Sequence, residues 1–194
     1  MENIDTNLMI RFKDGNQEAF KEIVERHKLL VLNLCLRFTG NKDDADDLAQ
    51  EVFIRVYQAA SNYEIKAAFT TWLYRITVNH CLNYQRRKKI LKFFSLSHGK
   101  NSKYQNGVRT PEFAINEQPD TEFEKKELQQ IVHNAIQSLP ENQKTVLILY
   151  RYHDLSYKEI ANVLDITVSA VESRLHRAKE NLKKKLKFVV NEIY

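Results

Sequence analysis

Apolar residues recur every three or four positions along most of the chain, which is the spacing of one face of an α-helix. The first strong stripe begins after Asn16 and stops at Gly40, a residue type that suits the left-handed position where helices commonly end. A shorter helix is predicted before Gly15. Two more are predicted, from the acidic run at residues 43–60 and from about residue 70 to residue 89. Helices of this length can pack together as one bundle.

The helical periodicity is lost in residues 95–121, where Ser, Asn, Gln, Gly and charged residues predominate and Pro111 and Pro119 occur. This composition is typical of a flexible linker. Periodicity returns near Glu122 and continues to the end of the sequence. We therefore predict an all-α chain of two helical domains, 1–94 and 122–194, joined by the linker.

Two short helices with a tight turn between them are predicted at residues 156–178. Ser156 and Glu159 have the spacing of a capping box, in which each side chain satisfies a backbone amide of the other residue. Asp165 lies in the turn, and Thr167 can cap the second helix. Val168, Val171 and Leu175 are expected to face inward, which leaves a polar outer face.

A second helix with a polar and basic outer face is the geometry of a helix-turn-helix that enters the major groove of DNA. The alternative is a plain helical hairpin whose outer face is only solvated. The cations that follow, from Arg174 to Lys187, favour the DNA-binding interpretation because they lie where a docked helix meets phosphates.

The net charge of +5, from 30 Lys and Arg against 25 Asp and Glu, is compatible with nucleic-acid binding without demonstrating it. Residues 83–103 contain seven cations and no acid, and aromatic residues precede them. Aromatic rings can stack on unpaired bases while cations hold the phosphates. Phe69 and Trp72 have the spacing of core residues, whereas Tyr63, in the break between two helices, is freer to stack.

Acidic residues crowd the helix that begins near residue 43, namely Asp43, Asp44, Asp46, Asp47 and Glu51. DNA would repel this face, so it should point to water or to a basic protein partner. A carboxylate metal site is disfavoured because adjacent Asp residues on a helix point apart.

Other function classes find little support in the sequence. Two cysteines are too few for a disulfide framework or a zinc site, and we expect buried free thiols. We find no signal peptide and no apolar run long enough to cross a membrane, which predicts a cytoplasmic protein. There is no nucleophile–base pair, phosphate loop or metal-ligand spacing, so we expect neither an enzyme nor a bound cofactor or metal.

Several motifs together resemble a known family. The sequence DDLAQEVF at residues 46–53 resembles the polymerase-binding helix of sigma-70-type factors, and TWLYRITVN at residues 71–79 resembles the helix that follows it in the small extracytoplasmic-function (ECF) group. Leu139-Pro140-Glu141 and residues 156–178 resemble the C-terminal domain of that group. The chain is similar to ECF sigma factors in order and over nearly its whole length.

The resemblance implies three contact surfaces. The polymerase face, which would bind the β′ clamp helices of core RNA polymerase, comprises Asp46, Asp47, Gln50, Glu51 and Phe53. The −10 surface, which would recognise and melt the −10 promoter element together with residues 62–69, comprises Tyr63, Asn79, Asn83, Arg86, Arg87 and Lys88. The −35 surface comprises Thr167, Ser169, Glu172, Ser173, Arg174, His176 and Arg177, with Glu172 either accepting from a cytosine amino group or neutral to the DNA.

The same resemblance implies the partners of the protein. They are core RNA polymerase, whose β-flap would meet an apolar surface beside the −35 surface, promoter DNA, and an anti-sigma factor that is often membrane-anchored in this group. The N-terminal domain would be sigma region 2, and the C-terminal domain region 4 with a wingless helix-turn-helix.

Two rival functions are a stand-alone helix-turn-helix regulator that binds duplex DNA without polymerase and a protein-interaction module that uses the motif as a docking surface.

Overall fold

The computed structural model describes residues 4–64, 68–97 and 119–193, and the side chains within 4–64, 68–94 and 127–187. All regular elements in these ranges are helices, which confirms the all-α prediction. Contacts divide the chain into two units, Met1–Gly107 and Val108–Tyr194. Most of the predicted linker, including Lys100 and Lys103, lies outside the described residues.

The N-terminal unit is a bundle built around α2. Helix α2 packs against α1, α3 and α4, and α3 also packs against α4. The described helices are α1 (Ile4–Lys13), α2 (Gln17–Thr39), α3 (Lys42–Ala59), a 3₁₀ turn (Ala60–Asn62) and α4 (Phe69–Ser97). Fully buried side chains between them include Ile23, Val31, Leu34, Phe38, Val52, Phe69 and Leu73.

Local capping signals fix where these helices begin and end. The Asn16 side chain accepts a hydrogen bond from the amide of Ala19 at 3.1 Å, as an N-cap does. Gly40 has φ 68°, the left-handed conformation that the sequence predicts for it. Asn41 then caps α3 by accepting from the amide of Asp44 at 2.9 Å. The short α2–α3 junction therefore places the acidic first turn of α3 beside the core of the bundle.

The two cysteines meet in the core of this unit. The Cys81 thiol donates to the sulfur of Cys35 at 3.7 Å, and both residues are fully buried. The contact with Cys35, together with burial, raises the pKa of the Cys81 thiol. The expectation of buried free thiols is confirmed, and the packing of α2 against α4 brings the two residues together.

The C-terminal unit is built around its last helix. Helix α8 packs against α5, α6 and α7. The described helices are α5 (Pro119–Gln137), α6 (Glu141–Tyr152), α7 (Tyr157–Leu164) and α8 (Val168–Ile193). The second helix of the motif is not short, because it continues through the basic tail as one helix of 26 residues, ~39 Å long.

The inward side of α8 differs from the prediction at its first residue. Val171, Leu175 and Ala178 are buried, at spacings of four and three, whereas Val168 is 37% exposed. Val168 is the first residue of the helix, so its side chain precedes the point where α8 crosses α7. On α7, Val163 is buried and Leu164 is half-buried.

Candidate nucleic-acid interface

The helix-turn-helix is held together by the predicted capping interactions. The amide of Ser156 donates to the Glu159 carboxylate at 2.8 Å, and the amide of Glu159 donates to the Ser156 hydroxyl at 3.3 Å. Hydrogen bonds from Ser156 lower the pKa of Glu159. Asp165 makes the turn with φ 53°, and the Thr167 hydroxyl accepts from the amide of Ala170 at 3.1 Å. These bonds fix the direction in which α8 leaves the turn.

The structure brings the −35 surface together on one side of α8. Six of its members are exposed, and Arg174 is half-buried. Thr167 differs from the others because its hydroxyl is engaged as the helix cap. The exposed members at helical spacing are Ser169, Glu172, Ser173, His176 and Arg177. Such a polar face can meet base edges, while the cations that follow can meet phosphates.

A pocket of ≈ 430 Å³ opens between α3 and α4 in the N-terminal unit. This volume lies within the range of about 300–1,000 Å³ that is usual for small-ligand sites. Asn79 and Asn83 of the −10 surface line it, and both are exposed. The other lining residues are Arg55, Gln58, Ala59, Ile76 and His80. Sequence reasoning missed Arg55 and Gln58, because their position opposite α4 depends on how the two helices cross.

Tyr63 does not have the exposure expected of a stacking residue. Only 4% of its surface is exposed, and its ring centroid lies 5.0 Å from that of Trp72 and 6.2 Å from that of Phe69. The Lys13 ammonium also donates to the Tyr63 carbonyl at 3.1 Å. The expectation of a free ring is wrong, because the chain turns inward after the 3₁₀ turn and adds Tyr63 to the aromatic core. Residues 65–67 of the adjoining segment lie outside the described residues.

The cations Arg86, Arg87 and Lys88 of the −10 surface are all exposed. Lys88 also makes contacts with α3 and within α4. The Lys88 ammonium lies 2.8 Å from the Asp44 carboxylate and donates to the Tyr84 hydroxyl at 3.3 Å. Burial alone would raise the pKa of Asp44, but hydrogen bonds from Lys88 and Tyr84 outweigh it and lower that pKa. Lys88 is therefore already paired within the protein.

The polymerase face is exposed at its centre and continues into apolar residues. Asp47, Gln50 and Glu51 are exposed, and Asp46 and Phe53 are half-buried. Ile54, 55% exposed, and Tyr57, 47% exposed, follow at helical spacing on the same side of α3. The Tyr57 ring covers Phe12 and Phe20 from outside, with centroids 5.0 Å and 5.1 Å away. An acidic face with an apolar extension suits a basic protein partner.

One hydrogen bond joins the polymerase face to the pocket. The Nε2 atom of His80 lies 2.6 Å from the carboxylate of Glu51, with His80 5% exposed and Glu51 56% exposed at their side chains. Burial lowers the pKa of His80, and the hydrogen bond to the Glu51 carboxylate only partly opposes this effect. Repulsion from Arg55 and Arg87 lowers the pKa further. A neutral His80 donates to Glu51 from Nε2 and keeps Nδ1 as an acceptor.

No group of three or more His, Cys, Asp or Glu side chains among the described residues is arranged to hold a metal ion. No described helix combines the length and the apolar character that a membrane crossing requires.

Family models match both units of the chain. The model for sigma-70 region 2 matches residues 23–90, and the model for sigma-70 region 4 matches residues 129–182. The RNA polymerase sigma-H factor of Pseudomonas aeruginosa is 33% identical over 188 residues, which cover 97% of this chain and 96% of that protein. The chain belongs to the sigma-70 family. The ECF RNA polymerase sigma factor SigW of Bacillus subtilis is 34% identical over 90% of this chain and 92% of its own length, and it confirms the ECF resemblance.

This chain also shares its fold with a solved structure. CnrH, in complex with the cytosolic domain of CnrY, superposes with a TM-score of 0.67, 24% identity and coverage of 95% of this chain and 98% of that one. The predicted family, the all-α fold and the two sigma domains are confirmed. A sigma factor directs RNA polymerase to promoters and is not an enzyme, which agrees with the function inferred from the motifs.

Proposed function

We propose that this sigma factor divides promoter recognition between its two units while a third surface holds core polymerase. The −35 surface on α8 would contact the −35 duplex through its major groove. The pocket between α3 and α4, with Asn79 and Asn83, would receive an unpaired base of the −10 element. Arg86 and Arg87 would hold the adjoining phosphates. The polymerase face on α3 would bind the β′ clamp helices.

The segregation of charge within the N-terminal unit carries this proposal. The exposed carboxylates of Asp47 and Glu51 lie on α3, whereas the exposed cations Arg86 and Arg87 lie on α4. A basic protein and a nucleic-acid strand can therefore bind the same unit at once without competing for one surface. The polar pocket lies between the two surfaces and is large enough for a base.

The structure refines the proposed role of individual residues. The Thr167 hydroxyl already caps α8, so we assign Thr167 to shaping the helix start rather than to base recognition. Glu172 is exposed between Ser169 and His176, where its carboxylate could accept only from a base amino group. Lys88 must exchange Asp44 for a phosphate if it is to contact DNA. Tyr63 would support the −10 surface from within the aromatic core.

The partners and location follow from the family. We propose that the protein acts in the cytoplasm on core RNA polymerase and that an anti-sigma factor controls it. Support comes from CnrH, which has the same fold and was solved in complex with the cytosolic domain of CnrY. The limits 1–94 and 122–194 remain our proposal for the two domains, with the β-flap contacting the apolar surface beside α8.

Reconstitution tests the proposed function. Purified protein is added to core polymerase, and start-site-specific transcription is measured on genomic fragments. We expect new, defined start sites, and their loss when Asp46→Lys and Asp47→Lys are combined. Reversal of two exposed acids elsewhere, Asp14→Lys with Glu22→Lys, is the matched control and should leave transcription unchanged. Tight binding of a duplex operator without any effect on polymerase would instead support a stand-alone regulator.

A further inference from the structure

His80 occupies a position that the contacts of the −10 surface do not explain. It lines the pocket between α3 and α4, yet it is almost fully buried and does not present a charged group to a strand. Its Nε2 atom is instead directed at Glu51 on the neighbouring helix, 2.6 Å away. The two residues are 29 positions apart in sequence, so this contact exists only in the folded bundle.

Glu51 is the acceptor in this contact and, unlike His80, is exposed to solvent. Its side chain is 56% exposed, which leaves the carboxylate accessible to a partner on the polymerase face while one oxygen accepts from His80. A carboxylate has more than one acceptor site, so both contacts can form together. Asp47 is exposed on the same helix face, and its carboxylate is not among the partners of His80.

The geometry points to a relay in which Glu51 holds the His80 ring in the wall of the base pocket and connects it to the polymerase face. This inference rests on the proposed function of the two surfaces. His80 is a positioning residue: it fixes the shape of the pocket through a bond to a residue that polymerase also contacts. Any movement of the Glu51 carboxylate on polymerase binding therefore changes how firmly the ring is held, and binding at the two sites is linked.

A neutral imidazole is suited to this role. Burial lowers the pKa of His80, and Arg55 and Arg87 also disfavour a second proton. With the proton on Nε2 donated to Glu51, the ring has one fixed orientation and a fixed tautomer. Loss of the carboxylate would leave a buried donor without its acceptor, which favours other ring positions.

The test compares two carboxylates of the polymerase face. Glu51→Ala removes the carboxylate that accepts from His80, and Asp47→Ala is the matched control that removes a neighbouring carboxylate without touching the ring. The probe is a fluorescein-labelled single strand selected from a random-hexamer DNA library on the wild-type holoenzyme. Its affinity is measured for the free protein and for the holoenzyme, and core-polymerase affinity is measured separately.

We expect Glu51→Ala to weaken strand binding by the free protein about five-fold or more, and Asp47→Ala to leave it unchanged while weakening core binding. His80→Leu should match Glu51→Ala, the double variant should be no weaker than either alone, and His80→Gln should restore most of the affinity because its amide can donate to Glu51. The ratio of strand affinity in the holoenzyme to that in the free protein should also change in His80→Leu.

Wild-type strand affinity in Glu51→Ala, a helix-compatible change at an exposed side chain, would overturn the relay and leave the proposed function standing. Additive losses in the double variant would overturn it too. If the wild-type holoenzyme selects no strand from the library, the proposed role of the −10 pocket is wrong, and the relay is wrong with it.

Discussion

The ion pair between Asp44 and Lys88 should hold one cation of the −10 surface away from DNA, and Asp44→Asn should release it. The two side chains are 30% and 57% exposed, with 2.8 Å between carboxylate oxygen and ammonium nitrogen. A pair this exposed contributes about 0–1 kcal/mol to folding. Its loss should therefore leave the N-terminal unit folded, with a fall in melting temperature below about 8 °C.

The gain should appear in the salt dependence of DNA binding. Each newly neutralised phosphate steepens the slope of log affinity against log salt by about 0.7 on a single strand and about 0.9 on a duplex. Asp43→Asn is the matched control: Asp43 is exposed in the same first turn of α3 and carries the same charge and helix-dipole interaction. We expect a slope steeper by about 0.7–0.9 for Asp44→Asn than for Asp43→Asn.

Fluorescence anisotropy with labelled promoter DNA between 50 and 200 mM salt, roughly the range over which phosphate contacts are resolved, measures this difference. Equal slopes for the two variants would refute the reasoning, because they would mean that Lys88 reaches phosphate regardless of Asp44 or never reaches it.

Three further outcomes are expected. Leu175→Ala, at a site 1% exposed between α8 and its neighbours, should cost the C-terminal unit about 2–5 kcal/mol in urea unfolding and leave the N-terminal transition in place. Ser156→Ala should cost about 1 kcal/mol in the same unit, since it removes one half of the capping box, and a cost near zero would show that the box does not stabilise the motif. His80 has its pKa lowered below the usual 6.5 in the folded state, so the unfolded chain binds more protons below that pH. The stability that it contributes is present above pH 6.5 and is lost as the pH falls below it; urea unfolding at several pH values should show a smaller acid loss in His80→Gln.

The features that sequence predicted well are local ones. Helix caps at Gly40 and Ser156 depend on a few neighbouring residues, and each forms as expected. Periodicity likewise located the helices, although α4 and α8 extend beyond the predicted limits because a helix that is already nucleated propagates without needing a regular apolar stripe.

The features that sequence could not supply depend on how helices cross. Tyr63 was expected to be exposed and is buried, whereas Val168 was expected to face inward and is exposed. Burial is decided by the neighbouring helix and not by the residue type. The Asp44–Lys88 and Glu51–His80 contacts join positions 44 and 29 residues apart, and charge pattern alone does not specify such partners. The sequence thus predicted the three surfaces of the candidate site, but it did not predict the pocket between two of them.

The buried pair of thiols gives the molecule a built-in reporter of its own motion. Both cysteines of the chain lie in the N-terminal unit, so a thiol reagent labels that unit alone. Because both sulfurs are fully enclosed, the reagent can reach them only when α2 and α4 separate, and the labelling rate measures how often that opening occurs. Opening of the unit that is proposed to bind core polymerase can thus be followed in the unmodified protein, free or in complex, with no introduced probe.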